Sequence, residues 1–261
     1  KKLTALSQQV AAELQAGQQS QNPELMQKGI DAALQKLESG MSLASEQFLV
    51  KPMLHSQMGA LAYQGAGLQL QLKLQSDAMR QTAQSIRRET AAKKYFQRAY
   101  KHLAIAHARD WSLQILRSWQ GMGMLAAMDH NDGNTKQALE RLSKCKSIAS
   151  DDPLFWGMYA WMLMQDDQPS EALLVISSGL DKNKDHPVLK QMSDAIGNKK
   201  PVDVSAFGMM WYSIFPDQLD MKAMMKLQQE HAVQPGQADP FAETNLNRKQ
   251  RRMLDKQQRR S

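Results

Sequence analysis

The sequence predicts an all-α fold, and three observations support this: the composition, the absence of strand patterns and a succession of helical stretches separated by turn residues. Ala, Leu, Gln, Met and Lys are abundant, and these side chains lose little conformational entropy in a helix. No long alternation of Val, Ile and Thr occurs, as a sheet would require. With 42% hydrophobic residues, the 261-residue chain can form a core in one extended or two compact domains.

Residues 1–50 predict an N-terminal helical hairpin region. Apolar residues recur at helical spacing over 3–18, and a polar stretch with Pro23 follows. Asn22 is a suitable N-cap for a second helix with Pro23 in its first turn, and Gly40 is expected to stop that helix.

The following part of the chain, 51–231, predicts a series of helices. Two short helical stretches are expected on either side of Pro52, and the helix after them is expected to loosen at Gly65 and Gly67. The expected helices, with turn residues in the gaps between the later ones, cover residues 54–78, 89–108, 111–128, 135–148, 153–164, 170–180, 186–196, 202–215 and 217–231.

A repeat of 34 residues separates Pro153 from Pro187. Between them stand Trp156, the large-small pair Tyr159-Ala160, and Ala172 in the second helix. This pattern closely resembles a tetratricopeptide repeat (TPR), with the closing Pro a few places late. The resemblance implies a TPR-like repeat domain over 51–231 with an aromatic and Met-rich C-terminal cap, folded as a right-handed α-solenoid of antiparallel helix pairs, which uses its concave groove to bind proteins.

The preceding unit resembles the same repeat less closely. It has Leu125-Ala126 as its large-small pair, a turn at Gly133-Asn134 and Ala138 in its second helix. Met122 and Asp129 stand where the family has aromatic residues. A weaker echo begins at Pro52, and its first helix is lengthened.

The resemblance places the first helix of each pair along the inner groove. Some family members bind acidic carboxy-terminal peptides there through a Lys and an Asn, but Gly and Trp or Ala stand at those positions here. The apolar groove and 18 Met residues instead suit a partner helix or apolar peptide; the alternative is that these Met residues only fill the core. The candidate groove residues are Gly157, Trp161, Met164 and Gln165, with Gly123, Ala127 and His130 from the preceding unit.

The densest aromatic run is 207–216, between Phe207 and Pro216. It is interpreted either as a cap that closes the open end of the solenoid, or as a patch that docks a partner or a membrane surface. The burial of these side chains distinguishes the two interpretations.

The C-terminal part predicts a linker over 232–247 and a basic tail over 248–261. Nearly all of the net charge of +7 belongs to this tail, in which seven cations face Asp255 alone. RNA, a ribosome or an anionic membrane is therefore an alternative partner, although no aromatic residue interleaves the charges for base stacking. The cations are Arg248, Lys249, Arg251, Arg252, Lys256, Arg259 and Arg260.

No motif for catalysis or for a cofactor occurs, so we expect a scaffold or adaptor rather than an enzyme. Cys145, the single cysteine, is expected to be a buried inert thiol. Asp129-x-Asn131-x-Gly133 partly matches a calcium loop but has Asn134 where Gly is needed, so no metal is predicted. The six histidines are expected at the surface or at helix ends. A single cysteine favours a reducing, cytoplasmic location, although a periplasmic protein without disulfides would have the same pattern. No stretch suits a membrane span, and the start at Lys1-Lys2 leaves open an upstream anchor.

Overall fold

A computed structural model describes residues 2–19, 22–45, 50–108, 116 and 118–233, and within these ranges the chain contains helices and no strand. The chain divides into two units, Lys1–Met221 and Lys222–Ser261. The all-α prediction is confirmed for the described residues. The basic tail and most of the predicted linker lie outside them.

The N-terminal hairpin consists of α1 (Lys2–Gln19) and α2 (Pro23–Ser39), followed by a 3-10 helix, Gly40–Ser45. The Glu24 backbone N–H donates to the Asn22 side chain over 2.8 Å, so Asn22 caps α2 as predicted. The two helices approach closely, because a Cβ on Gly29 would lie only 2.8 Å from the Glu13 carbonyl oxygen.

Helices α3 (Val50–Ala78) and α4 (Thr82–Ala106) form one long pair. The predicted break at Pro52 was wrong: Pro52 is the third residue of α3, where a helix does not need the N–H that proline lacks. The predicted loosening at Gly65 was also wrong. A Cβ there would lie 3.0 Å from the Tyr95 ring, so this glycine admits a side chain of α4 into the helix contact.

Shorter helices follow. The predicted helix start at Trp111 lies outside the described residues, and α5 is described from Gln120. Helix α6 ends five residues before its predicted end, because the chain turns with Cys145 N–H bonded to the Leu142 carbonyl. The 202–215 stretch contains only a short helix, flanked by 3-10 helices at Ser205–Phe207 and Pro216–Gln218. The helices are α5 (Gln120–Asn131), α6 (Thr135–Ser143), α7 (Pro153–Gln165), α8 (Pro169–Lys182), α9 (Pro187–Gly197), α10 (Met209–Ile214) and α11 (Met221–Val233).

Successive helices of the first unit pack in pairs, and each pair contacts the next. The pairs are α3 with α4, α5 with α6, and α7 with α8; α5 also contacts α3 and α4, α6 contacts α7, and α9 contacts α7 and α8. Trp156, Ala160 and Ala172 are all buried on helical backbone. A Cβ on Gly179 would lie 2.7 Å from Trp156 Cβ, so a small residue of α8 faces a bulky one of α7.

A buried polar cluster joins α4, α5 and α6. The Asp129 carboxylate, 2% exposed, pairs with the Arg141 guanidinium and accepts a 3.1 Å hydrogen bond from the Tyr100 hydroxyl. Asp129 stands at the start of the calcium-like pattern, and its carboxylate oxygens are engaged by these two side chains. Among the described residues, no group of three or more His, Cys, Asp or Glu side chains could hold a metal ion.

Two of the predicted surface histidines are buried instead. His55 of α3 and His102 of α4 face each other across the pair, with their Nδ1 atoms 2.9 Å apart. Burial lowers both pKa values, that of His55 to about 4. The neighbouring His102 and two lysines lower the His55 pKa further, and Arg98 and Lys101 lower that of His102. His107 follows α4, as a helix-end histidine; both of its ring nitrogens are buried without a hydrogen-bond partner among the described residues, and burial lowers its pKa to about 4.

None of the helices in the described parts of the chain has the length and apolar character needed to cross a membrane.

Replacing Arg141 by Ala should destabilise the fold by about 3–5 kcal/mol, because it leaves the buried Asp129 carboxylate without its cation. The matched control is Lys144→Ala, which removes an exposed ion pair with Glu140 and should cost less than about 1 kcal/mol. Urea denaturation followed by circular dichroism measures both variants. Equal losses in the two would contradict the structural role of the buried pair.

Acidification should destabilise the first unit through His107. Its folded pKa lies below its unfolded value of about 6.5, so the unfolded chain binds protons more readily, and the stability present above that value is lost as pH falls toward about 4. Between about pH 7.5 and pH 5 this group should contribute a loss of about 1–2 kcal/mol. In a His107→Leu variant, the free energy of unfolding should fall less between the two pH values, by the amount that His107 contributes. The same urea titrations measure it. An identical loss in the variant would show that other groups dominate.

Candidate functional site

One face of the first unit is formed by the first helix of each pair and is covered by the chain's own aromatic residues. We call residues Ser205–Gln218 the aromatic segment. We call the face of α3, α5, α7 and the start of α9 that it contacts the first-helix surface. The predicted groove residues on α5 and α7 belong to the same first helices.

Phe207 packs against Gly157 of α7. A Cβ on Gly157 would lie 2.4 Å from Phe207 Cζ and 3.3 Å from Met192 Sδ, so only glycine leaves room for the ring. On another side, the Phe207 ring is nearly parallel to the His186 ring, with centroids 6.4 Å apart. The aromatic segment therefore makes its first contact with α7 through a ring that packs directly against a glycine.

Trp161 of α7 is the centre of the next contact. Its ring meets Trp211 and Phe215 of the aromatic segment edge-on, with centroids 5.3 Å and 5.1 Å apart, and meets His130 of α5 in the same way at 5.2 Å. Trp211 and Phe215 stack on each other at 4.6 Å. Such edge and stacked arrangements stabilise aromatic clusters beyond the area they bury.

Helix α3 contacts the end of the aromatic segment, in part through a hydrogen bond to the backbone of that segment. The Tyr63 hydroxyl donates a 2.6 Å hydrogen bond to the Ile214 carbonyl. Burial, with a smaller effect of Asp217, raises the Tyr63 pKa well above its ordinary value, so the hydroxyl stays protonated as this bond requires. Pro216 lies over Gly67, since a Cβ on Gly67 would stand 3.4 Å from Pro216 Cβ.

Burial separates the two interpretations of the aromatic run. Trp211 and Phe215 are completely buried, and Phe207 and Ile214 nearly so. These side chains therefore pack on the first unit and are not an exposed docking patch. The segment also contacts α3, α5 and α7, so it crosses several pairs instead of capping the last one alone.

The structure brings only some of the predicted groove residues together. Gly157, Trp161 and His130 lie under or beside the aromatic segment. Gly123 and Ala127 are buried, and a Cβ on Gly123 would meet the Trp119 ring at 2.6 Å. Of the remaining two predicted residues, Met164 is half-buried and Gln165 is exposed.

The described contacts of this surface are aromatic, whereas the sequence predicted a Met-rich groove. Several Met residues of the predicted clusters are in the core instead: Met122, Met128, Met158 and Met162. Sequence reasoning missed Tyr63 and Gly67, which lie in the less regular first repeat. The spacing of four residues between Phe207, Trp211 and Phe215 was the available signal, although only Trp211 lies within the α-helix.

The single cysteine of the chain is not available as a reactive thiol. Cys145 is fully buried, and burial raises the pKa of its thiol to about 12, so the thiol stays protonated. An open depression of about 400 Å³ lies away from the aromatic segment, between α6, α7 and α8, and is lined by side chains such as Lys146, Tyr159 and Glu171. The first-helix surface is thus largely apolar, with the Tyr63 hydroxyl as a side-chain donor to the Ile214 backbone carbonyl.

No family model matches the chain, and neither a curated protein nor a solved structure matches it.

A Gly157→Ala substitution should loosen the aromatic segment, because the added methyl occupies the place of the Phe207 ring. Forcing an atom into such a packed contact costs about 1–3 kcal/mol. Hydrogen exchange should therefore speed up over residues 205–219. Gly197→Ala is the control, since a Cβ there meets nothing within 4 Å. Unchanged exchange in the Gly157 variant would show that Phe207 is not held by this contact.

Proposed function

We propose that this chain is a protein-interaction scaffold or adaptor, built as a TPR-like right-handed α-solenoid, which binds a partner helix or peptide on its first-helix surface. The proposal is supported mainly by one observation: this surface holds a short helical segment of its own chain through aromatic side chains and one backbone hydrogen bond. A surface that accommodates one short helix has the chemistry to accommodate another.

The physical features of the surface suit peptide recognition. Gly157 and Gly67 leave depressions in which a ring can lie, and the Trp161 ring offers both faces and edges to aromatic neighbours. Tyr63 supplies a hydrogen-bond donor to a peptide carbonyl independently of the peptide's sequence. Anchor side chains in depressions, together with a contact to the main chain, are the usual elements of helix-in-groove binding. The proposal involves no reaction and no cofactor.

A second candidate function rests on the basic tail. Seven cations against one anion over residues 248–260 would neutralise phosphates of RNA, of a ribosome or of an anionic membrane surface. Its contribution would depend strongly on salt, whereas an aromatic surface would not.

The test is site-specific photocrosslinking in cells that express the full chain. A photoreactive residue at Gln165, exposed beside the first-helix surface, should crosslink a partner protein. The same residue at Leu174, which is 63% exposed on α8, is the control and should not. Crosslinking at Gln165 should survive deletion of residues 248–261 and high salt. Loss of all capture on that deletion would instead make the tail the principal binder.

A further inference from the structure

We propose that the partner of the first-helix surface is a short peptide segment with three aromatic side chains at intervals of four residues, the middle one on a short helix, and that it binds by displacing the aromatic segment. This inference rests on the proposed function and specifies its partner. The aromatic segment is then a resident occupant, which holds the surface while no partner is present.

The anchor pattern is taken from the occupant itself. Phe207, Trp211 and Phe215 are spaced four residues apart, and each meets α7: the first at Gly157, the other two at Trp161. Of the three, Trp211 alone lies within α10: Gly208, with φ of 60°, separates Phe207 from the helix, and Phe215 follows its end. A displacing segment needs the same spacing and the same turn before its helix to fill the same places. At these positions, close contacts such as the one at Gly157 favour flat aromatic rings, because side chains of other shapes would leave voids.

The described bonding of the segment makes replacement feasible. Its α-helix, α10, has only six residues, and isolated helices of that length are unstable in water, so its conformation depends on the surface beneath it. Besides the packing of its side chains, the segment is attached to α3 by the hydrogen bond from the Tyr63 hydroxyl to the Ile214 carbonyl. Every helix near its C-terminal end offers a carbonyl in that position.

Covalent continuity makes the occupant a strong competitor. The connector from α9 to the segment, residues 198–204, is only seven residues long, so the segment acts at an effective concentration of about a millimolar or more. The surface is free for only a fraction of the time, and the apparent affinity for a partner falls by that fraction. Weakening the occupant should therefore strengthen partner binding, which a purely structural segment would not do.

A crosslink can hold the occupant in place. A Cβ on Gly67 would lie 3.4 Å from Pro216 Cβ, close to the separation of about 3.5–4.5 Å found in disulfides. In a Gly67→Cys/Pro216→Cys variant, oxidation should therefore tie the segment to α3. The natural Cys145 is fully buried and should not interfere.

The experiment uses the full chain and a fluorescent peptide with the sequence of residues 203–219 as the probe, with binding measured by anisotropy. Relative to the unmodified chain, Phe207→Ala should bind the peptide at least about tenfold more tightly. Met210→Ala, which changes a residue 41% exposed on the segment, should bind like the unmodified chain. The oxidised double-cysteine variant should lose binding, and a reductant should restore it. A peptide with Trp211 and Phe215 both replaced by Ala should not bind.

Three results would overturn the inference. Equal peptide affinity in the unmodified chain, the Phe207→Ala variant and the oxidised variant would show that the segment does not compete. No binding of the peptide to the reduced variants would show that the aromatic pattern is not recognised. Dimerisation of the Phe207→Ala variant, with no affinity for the peptide, would make a second copy the occupant. If the Phe207→Ala variant does not fold, the inference is decided by the double-cysteine variant alone, from the difference in peptide affinity between its oxidised and reduced forms.

These failures are distinct from failure of the proposed function. Crosslinking of a partner at Gln165 does not depend on the aromatic pattern, so it can succeed while the peptide fails. The proposed function would then stand with a different partner chemistry.

Discussion

The first unit depends on close contacts between a residue without a side chain and a bulky neighbour. At Gly59, Gly157 and Gly179, a Cβ would lie within 2.7 Å of Leu103, Phe207 and Trp156 respectively. Each contact lets a backbone approach a large apolar group at a distance that any other residue would prevent. Since dispersion attraction falls steeply with small gaps, these contacts give the packing its density and fix which helix lies on which. Two of them, at Gly59 and Gly179, lie within the α3–α4 and α7–α8 pairs, and the third joins α7 to the aromatic segment.

Because the pairs are joined by such contacts, polar groups between them must be satisfied locally. The Asp129 carboxylate is buried where α4, α5 and α6 meet, and its pairing with Arg141 and Tyr100 compensates for lost hydration. Burial lowers the pKa values of the facing His55 and His102 rings and so favours their neutral forms. These polar contacts constrain the relative orientation of the helices, whereas the rest of the core is stabilised by close apolar packing.

The sequence predicted the region 153–197 well, because each of its helices begins at a proline and local signals define it. Trp156 and Ala172 also follow a repeat, so their burial could be anticipated. Helix α3 was predicted poorly, since a glycine at a close helix contact and a glycine at a break have the same local appearance. The position of the aromatic segment could not be predicted, because Tyr63 and Ile214 meet across 151 residues, and no local pattern encodes such a contact.

The aromatic segment also explains how an apolar surface on the first helices can exist without exposure. Fully burying a Trp or Phe side chain removes about 150–250 Å² from water, which at about 25 cal/mol per Å² favours the buried state of Trp211 or Phe215 by roughly 4–6 kcal/mol before ordering costs. Without an occupant, Trp161 and Tyr63 would be exposed as well and would favour association with other apolar surfaces. An occupant on the same chain prevents this while leaving the surface intact. If a partner displaces the segment as proposed above, the same burial sets the affinity that this partner must exceed.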